Sequence, residues 1–116
     1  MMEKKKVVVV AGTRPEVIKM ASVYMELQRS DLLEPVFLST GQHREMLAQA
    51  FGAFNLAPDH DLKLMKPGQD LTGLTARVLQ AVGTYLEETR PDAVLVQGDT
   101  TSVLASAMAA FYQNIP

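Results

Sequence analysis

The sequence predicts an α/β fold, a doubly wound parallel sheet, and three observations carry that expectation. Short β-branched runs alternate with segments of helical periodicity along the 116 residues. The first run, Val7-Val8-Val9-Val10, is apolar at every position, which suits a parallel strand covered on both faces. Glycine, proline and capping residues punctuate the boundaries between segments.

In chain order, the first strand covers Lys6 to Ala11 and is broken by Gly12. A helix follows from about Arg14 to Arg29, with Val17, Met20, Ala21, Tyr24 and Leu27 on one face. Thr13 and Glu16 stand at capping-box spacing, and Pro15 needs no N–H in a first turn. Pro35 to Ser39 reads as the second strand, Thr40-Gly41-Gln42 as a turn, and Arg44 to Phe54 as a helix burying Met46, Leu47, Ala50 and Phe51. Asn55 to Lys66 is less regular, with Leu62 to Met65 a candidate short third strand. After the turn at Pro67-Gly68-Gln69, Asp70 caps a third helix reaching about Arg90. Its apolar face is Leu71, Leu74, Val78, Leu79, Val82 and Leu86, and Gly83 within it costs about 1 kcal/mol relative to Ala. Pro91-Asp92 ends this helix, Ala93 to Val96 forms another buried strand, and Gln97-Gly98-Asp99 leads into a last helix through Tyr112. Asn114-Ile115-Pro116 reads as the approach to a further strand, so residues 1–116 are expected to be one domain, cut short, of a larger protein.

Composition narrows the function classes. A hydrophobic share of 47% supports a buried core, and a formal charge of −2 provides no basic field for nucleic acid. Lys4-Lys5-Lys6 is read as a solubilising flank. With no cysteine there is no disulfide framework and no thiolate chemistry. His43 and His60 lack a suitable third ligand for a metal site. The apolar run Val7 to Ala11 is far shorter than the ~20 residues of a membrane span, and a soluble cytoplasmic protein is expected.

In an open α/β sheet, ligands bind beyond the carboxyl ends of the strands. Three turns fall on that edge: Gly12 to Glu16, Thr40 to Arg44, and Gly98 to Thr101. The first has a single glycine and is not a dinucleotide fingerprint. It does present a helix N-terminus with Arg14 beside it, an arrangement suited to phosphate. Arg14 is read either as a phosphate ligand or as a solvated loop residue. Lys19 either adds charge to that site or pairs with Glu16 three residues away. Gln42, His43 and Arg44 form a polar group at the second helix start, suited to a phosphate or sugar hydroxyl, or simply exposed. Asp99 is the leading catalytic candidate, since it follows a buried strand at the ligand edge. It is equally a good N-cap for the last helix.

Taken together, Gly12-Thr13-Arg14-Pro15-Glu16 with Ile18-Lys19-Met20, Gln42-His43-Arg44-Glu45-Met46-Leu47, Gly98-Asp99-Thr100-Thr101 and Ala109-Ala110-Phe111-Tyr112 resemble the non-hydrolysing UDP-N-acetylglucosamine 2-epimerases. The resemblance covers nearly the whole chain in order. It implies two Rossmann-like domains in the glycosyltransferase-B arrangement, of which this is the first, with the active site in the cleft between them. It further implies a homodimer that interconverts UDP-N-acetylglucosamine and UDP-N-acetylmannosamine for envelope polysaccharides, without metal or nicotinamide. UDP is eliminated to leave a 2-acetamidoglucal and then re-added, with the proton delivered to the opposite face.

By the same resemblance, Asp99 is an acid/base group and Arg14 and Lys19 hold the diphosphate. Gln42, His43 and Gln69 fall where bacterial members bind a second UDP-N-acetylglucosamine as activator. Gln97 stands where the family usually has His. Further catalytic glutamates and the second, UDP-binding domain would follow Pro116, so the chain alone is expected to be inactive. A related glycosyltransferase, a hydrolysing epimerase and a non-catalytic flavodoxin-like binding module are the alternatives.

Overall fold

The computed structural model describes residues 3–42 and 44–116. Its elements alternate as the sequence predicts: β1 (Lys5–Ala11), α1 (Arg14–Gln28), β2 (Leu33–Ser39), α2 (Arg44–Ala53), β3 (His60–Asp61), α3 (Leu71–Thr89), β4 (Ala93–Leu95) and α4 (Thr101–Tyr112). The described strands form one parallel sheet in the order β3-β2-β1-β4.

β1 lies at the centre because both its faces are apolar. Val7 to Val10 are no more than 7% exposed. Val9 and Ala11 pack with Val17, Met20 and Tyr24 of α1 and with Leu47, Ala50 and Phe51 of α2. Val8 and Val10 turn to the other face, where Leu38 lies and Tyr85 of α3 packs against them. A separate apolar layer joins Leu74, Val78, Val82 and Leu86 of α3 to Ala105, Ala109 and Ala110 of α4. The fold is therefore helices on both faces of a parallel sheet.

Three local expectations are corrected. The third strand is His60–Asp61, not Leu62 to Met65. Lys63 has φ +54° and its N–H binds Asp61 Oδ1 at 2.9 Å, so the chain turns where a strand would continue. Met46 and Leu71 are exposed, at 49% and 71%; each sits in the first turn of its helix, ahead of the buried part of its apolar face. Strand and helix ends otherwise shift by one or two residues. Beyond α4 the chain returns beside β4, where the Pro116 carbonyl accepts the Val94 N–H at 2.8 Å on the edge away from β1.

Candidate functional site

The strand order fixes where a ligand can enter. The chain steps from β1 to β2 to β3, then crosses back through α3 to place β4 on the other side of β1. The turns leaving β1 and β4 therefore head apart, and a crevice opens between them at the carboxyl edge. It is a small cleft of about 70 Å³, lined by Thr13, Pro15, Glu16 and Lys19 on one wall and by Gln97, Gly98, Asp99 and Thr100 on the other.

Glu16 joins the two walls. It is 3% exposed. Its Oε1 accepts the Gly12 N–H at 2.7 Å, and its Oε2 accepts the Thr100 hydroxyl. The capping box is thus not formed as expected. Thr13 is the N-cap of α1 by backbone geometry, yet its side chain makes no cap bond. The Glu carboxylate, drawn toward Thr100, takes the donor at Gly12. The Thr13 hydroxyl is left buried on the cleft wall without a partner. An unpartnered buried hydroxyl beside a helix N-terminus is a ready donor for a ligand oxygen.

The two readings of Asp99 are separated by α4. Its N-cap is Thr100, whose Oγ1 accepts the Val103 N–H at 3.4 Å. Gly98, at φ +121°, carries the turn one residue further than the sequence suggested. Asp99 is left exposed on the cleft wall, so it is not a cap. Lys19 is exposed on the opposite wall. Among the described residues the ion pairs are Lys5–Asp92 and Arg29–Glu26; Glu16 has turned inward, away from Lys19. Arg14 is exposed at the helix start and does not line the cleft itself.

Gln42 sits on the neighbouring turn, where its Oε1 accepts the Ser102 hydroxyl at 2.9 Å. Ser102 Oγ lies 3.0 Å from Thr40 Oγ1, completing a buried polar chain from the β2 turn to α4. Gly12 is required beside it, because a Cβ there would lie 2.5 Å from Thr40 Oγ1 and 2.7 Å from Ser102 Cβ. Gln69 lies apart from the cleft, in the loop before α3. Its amide donates to the Leu64 carbonyl at 3.4 Å and its Oε1 is buried without a partner. His43 lies outside the described residues. The cleft thus unites Lys19 and Asp99, keeps Arg14 on the same turn and leaves Gln42 and Gln69 elsewhere. Sequence reasoning gives Thr13 only a capping role and assigns none to the hydroxyls of Thr100 and Ser102, whose partners lie on distant turns.

A larger hollow, about 530 Å³, lies between the β3 segment and α3, where His60, Arg77, Tyr85 and Glu88 line it. It does not open onto the turns after β1 and β4, so the smaller cleft is the better candidate for the ligand site.

A parallel 3-2-1-4 sheet with a polar cleft at its switch point defines a Rossmann-like α/β domain of the ligand-binding kind. The family model for UDP-N-acetylglucosamine 2-epimerase matches residues 25–116. The UDP-N-acetylglucosamine 2-epimerase of Escherichia coli K12 is 50% identical over 111 residues, covering 96% of this chain and 30% of that protein. The crystal structure of UDP-GlcNAc 2-epimerase from Neisseria meningitidis bound to UDP-GlcNAc superposes with a TM-score of 0.90 at 48% identity, over 96% of this chain and 30% of that one. The Methanocaldococcus jannaschii UDP-GlcNAc 2-epimerase in complex with UDP-GlcNAc and UDP gives 0.87 at 30% identity, over 95% and 30%. This chain belongs to the UDP-N-acetylglucosamine 2-epimerase family, and it spans about 30% of the length of the relatives it matches.

Proposed function

We propose that this chain is the N-terminal Rossmann-like part of a two-domain enzyme that interconverts UDP-N-acetylglucosamine and UDP-N-acetylmannosamine. The observation that carries the reading is the pairing of Lys19 and Asp99 across one cleft, in a chain half identical to named epimerases. The C2 hydrogen of the sugar is barely acidic, so its removal must be coupled to departure of a stable leaving group. A carboxylate takes the C2 proton, the C–H pair becomes the C1–C2 double bond, and the C1–O bond breaks to release UDP. Re-addition of UDP with protonation from the opposite face gives the epimer. Asp99 is assigned a proton-transfer role, and Arg14 and Lys19 offset the charge that develops on the departing diphosphate. The unpartnered Thr13 hydroxyl and the α1 N-terminus support an oxygen ligand at the same place.

The remaining 70% or so of the relatives' length is assigned the uridine-binding domain and the further carboxylates, so the isolated chain is inactive in this reading. Gln42, His43 and Gln69 are assigned to a second UDP-N-acetylglucosamine acting as effector, and the assembled enzyme to a cytoplasmic homodimer. The test is a hybrid in which these 116 residues replace the matching 30% of the E. coli relative. The expected product from UDP-N-acetylglucosamine is UDP-N-acetylmannosamine. Release of free N-acetylmannosamine with UDP would indicate a hydrolysing enzyme, and transfer of the sugar to an acceptor a glycosyltransferase.

A further inference from the structure

Glu16 has the geometry of more than a helix cap. An exposed helix start can satisfy its N–H groups with water, yet this carboxylate is withdrawn to 3% exposure. Both of its oxygens are committed, and to different turns: Oε1 to the Gly12 N–H at 2.7 Å and Oε2 to the Thr100 hydroxyl, 84 residues away in sequence. Its methylenes lie beneath the second turn, for a Cβ added at Gly98 would meet Glu16 Cγ at 3.6 Å. Gly98 is held at φ +121° over this side chain, and Asp99 stands between Gly98 and Thr100. Thr100, on one side of Asp99, is therefore bonded to this carboxylate, and Gly98, on the other, lies over its methylenes.

We infer that Glu16 is a positioning residue, a buried clasp across the switch point that sets where Asp99 is presented to the cleft. The inference rests on the function proposed above, and it assigns Glu16 no contact with the substrate. Removing the side chain leaves the Gly12 N–H and the Thr100 hydroxyl without partners and frees the turn that carries Asp99. The Gln97–Thr100 segment has no other side-chain anchor to the turn between β1 and α1 among the described hydrogen bonds. Displacement of a catalytic group by about 1 Å lowers turnover about 100-fold.

The inference is tested in the hybrid enzyme and in the 116-residue chain side by side. In the hybrid, Glu16→Ala is expected to lower kcat about 100-fold with KM within about twofold. Glu16→Gln still accepts the Gly12 N–H and places an amide against Thr100, so it is expected to recover about tenfold of that loss. In the chain itself, Glu16→Ala is expected to speed hydrogen exchange at the Gly12 amide and to shift the amide resonances of residues 98–103, while those of Phe37 and Phe51 stay in place. Unchanged kcat in a Glu16→Ala hybrid, or an unchanged Gly12 exchange rate, overturns the inference. So does a melting temperature and KM that worsen in step with kcat, which would mark a merely structural role. An unsubstituted hybrid that folds without turnover refutes the proposed function instead, and the clasp is then judged by the Gly12 and 98–103 amides alone.

Discussion

Tyr24 and Asp59 show how one polar contact joins three segments of this fold. The Tyr24 hydroxyl donates to Asp59 Oδ2 at 2.8 Å, and the same oxygen accepts the Phe37 N–H at 2.7 Å. Burial, reinforced by the hydrogen bond to Asp59 and its charge, pushes the Tyr24 phenol up from 10.0 to about 12. The folded state then holds this proton more tightly than the unfolded chain. The resulting stability is complete below pH 10 and is lost as pH rises toward about 12. Phenolate absorbance should show a tyrosine ionising near pH 12, and Tyr24→Phe should remove that late step while costing about 1 kcal/mol in denaturant unfolding. At the site, Asp99→Asn should leave unfolding free energy within about 0.5 kcal/mol, because Thr100 and not Asp99 caps α4. Lys19 became a candidate only through the family resemblance, whereas Arg14 and Asp99 were legible as candidates from their turns at the ligand edge. Thr13 and Glu16 were not, since capping-box spacing describes only local partners, and Glu16 found its second partner in Thr100 on a distant turn.

Among the elements, α4 anchors the site through two polar residues at its N-terminal turn. Thr100 at its start meets Glu16, and Ser102 two residues on meets Thr40 and Gln42. Thr100→Ala removes both the cap and the clasp, and should cost about 1–2 kcal/mol, read from chemical denaturation. At the far end of α3, Arg90 closes the helix at φ +46°, a conformation that favours glycine. Arg90→Gly is expected to raise stability by about 0.5–1 kcal/mol, since its contact with Gln113 is long at 3.4 Å. Periodicity located every helix and three of the strands within one or two residues, because their apolar faces are continuous. β3 escaped it: with two residues paired to Leu38 and Ser39, it is held by its neighbour's backbone and has no side-chain pattern of its own.

For the molecule as a whole, the parallel order β3-β2-β1-β4 is what turns three separate loops into one ligand edge. Alternation of strand and helix made that class legible, whereas the side of β1 taken by β4 is a tertiary choice that local sequence does not encode. The chain provides one wall of a proposed nucleotide-sugar site, so catalysis is expected only when it is joined to the rest of a relative's length. The most direct measurement is deuterium incorporation at C2 of UDP-N-acetylglucosamine in D₂O, comparing the hybrid enzyme with its Asp99→Asn variant. The unsubstituted hybrid should label C2 at the rate of turnover, and Asp99→Asn should slow labelling by about 100-fold or more with substrate affinity retained. Labelling by Asp99→Asn at the unsubstituted rate, or turnover by the hybrid with C2 unlabelled, would contradict the assignment of this cleft to proton transfer at C2.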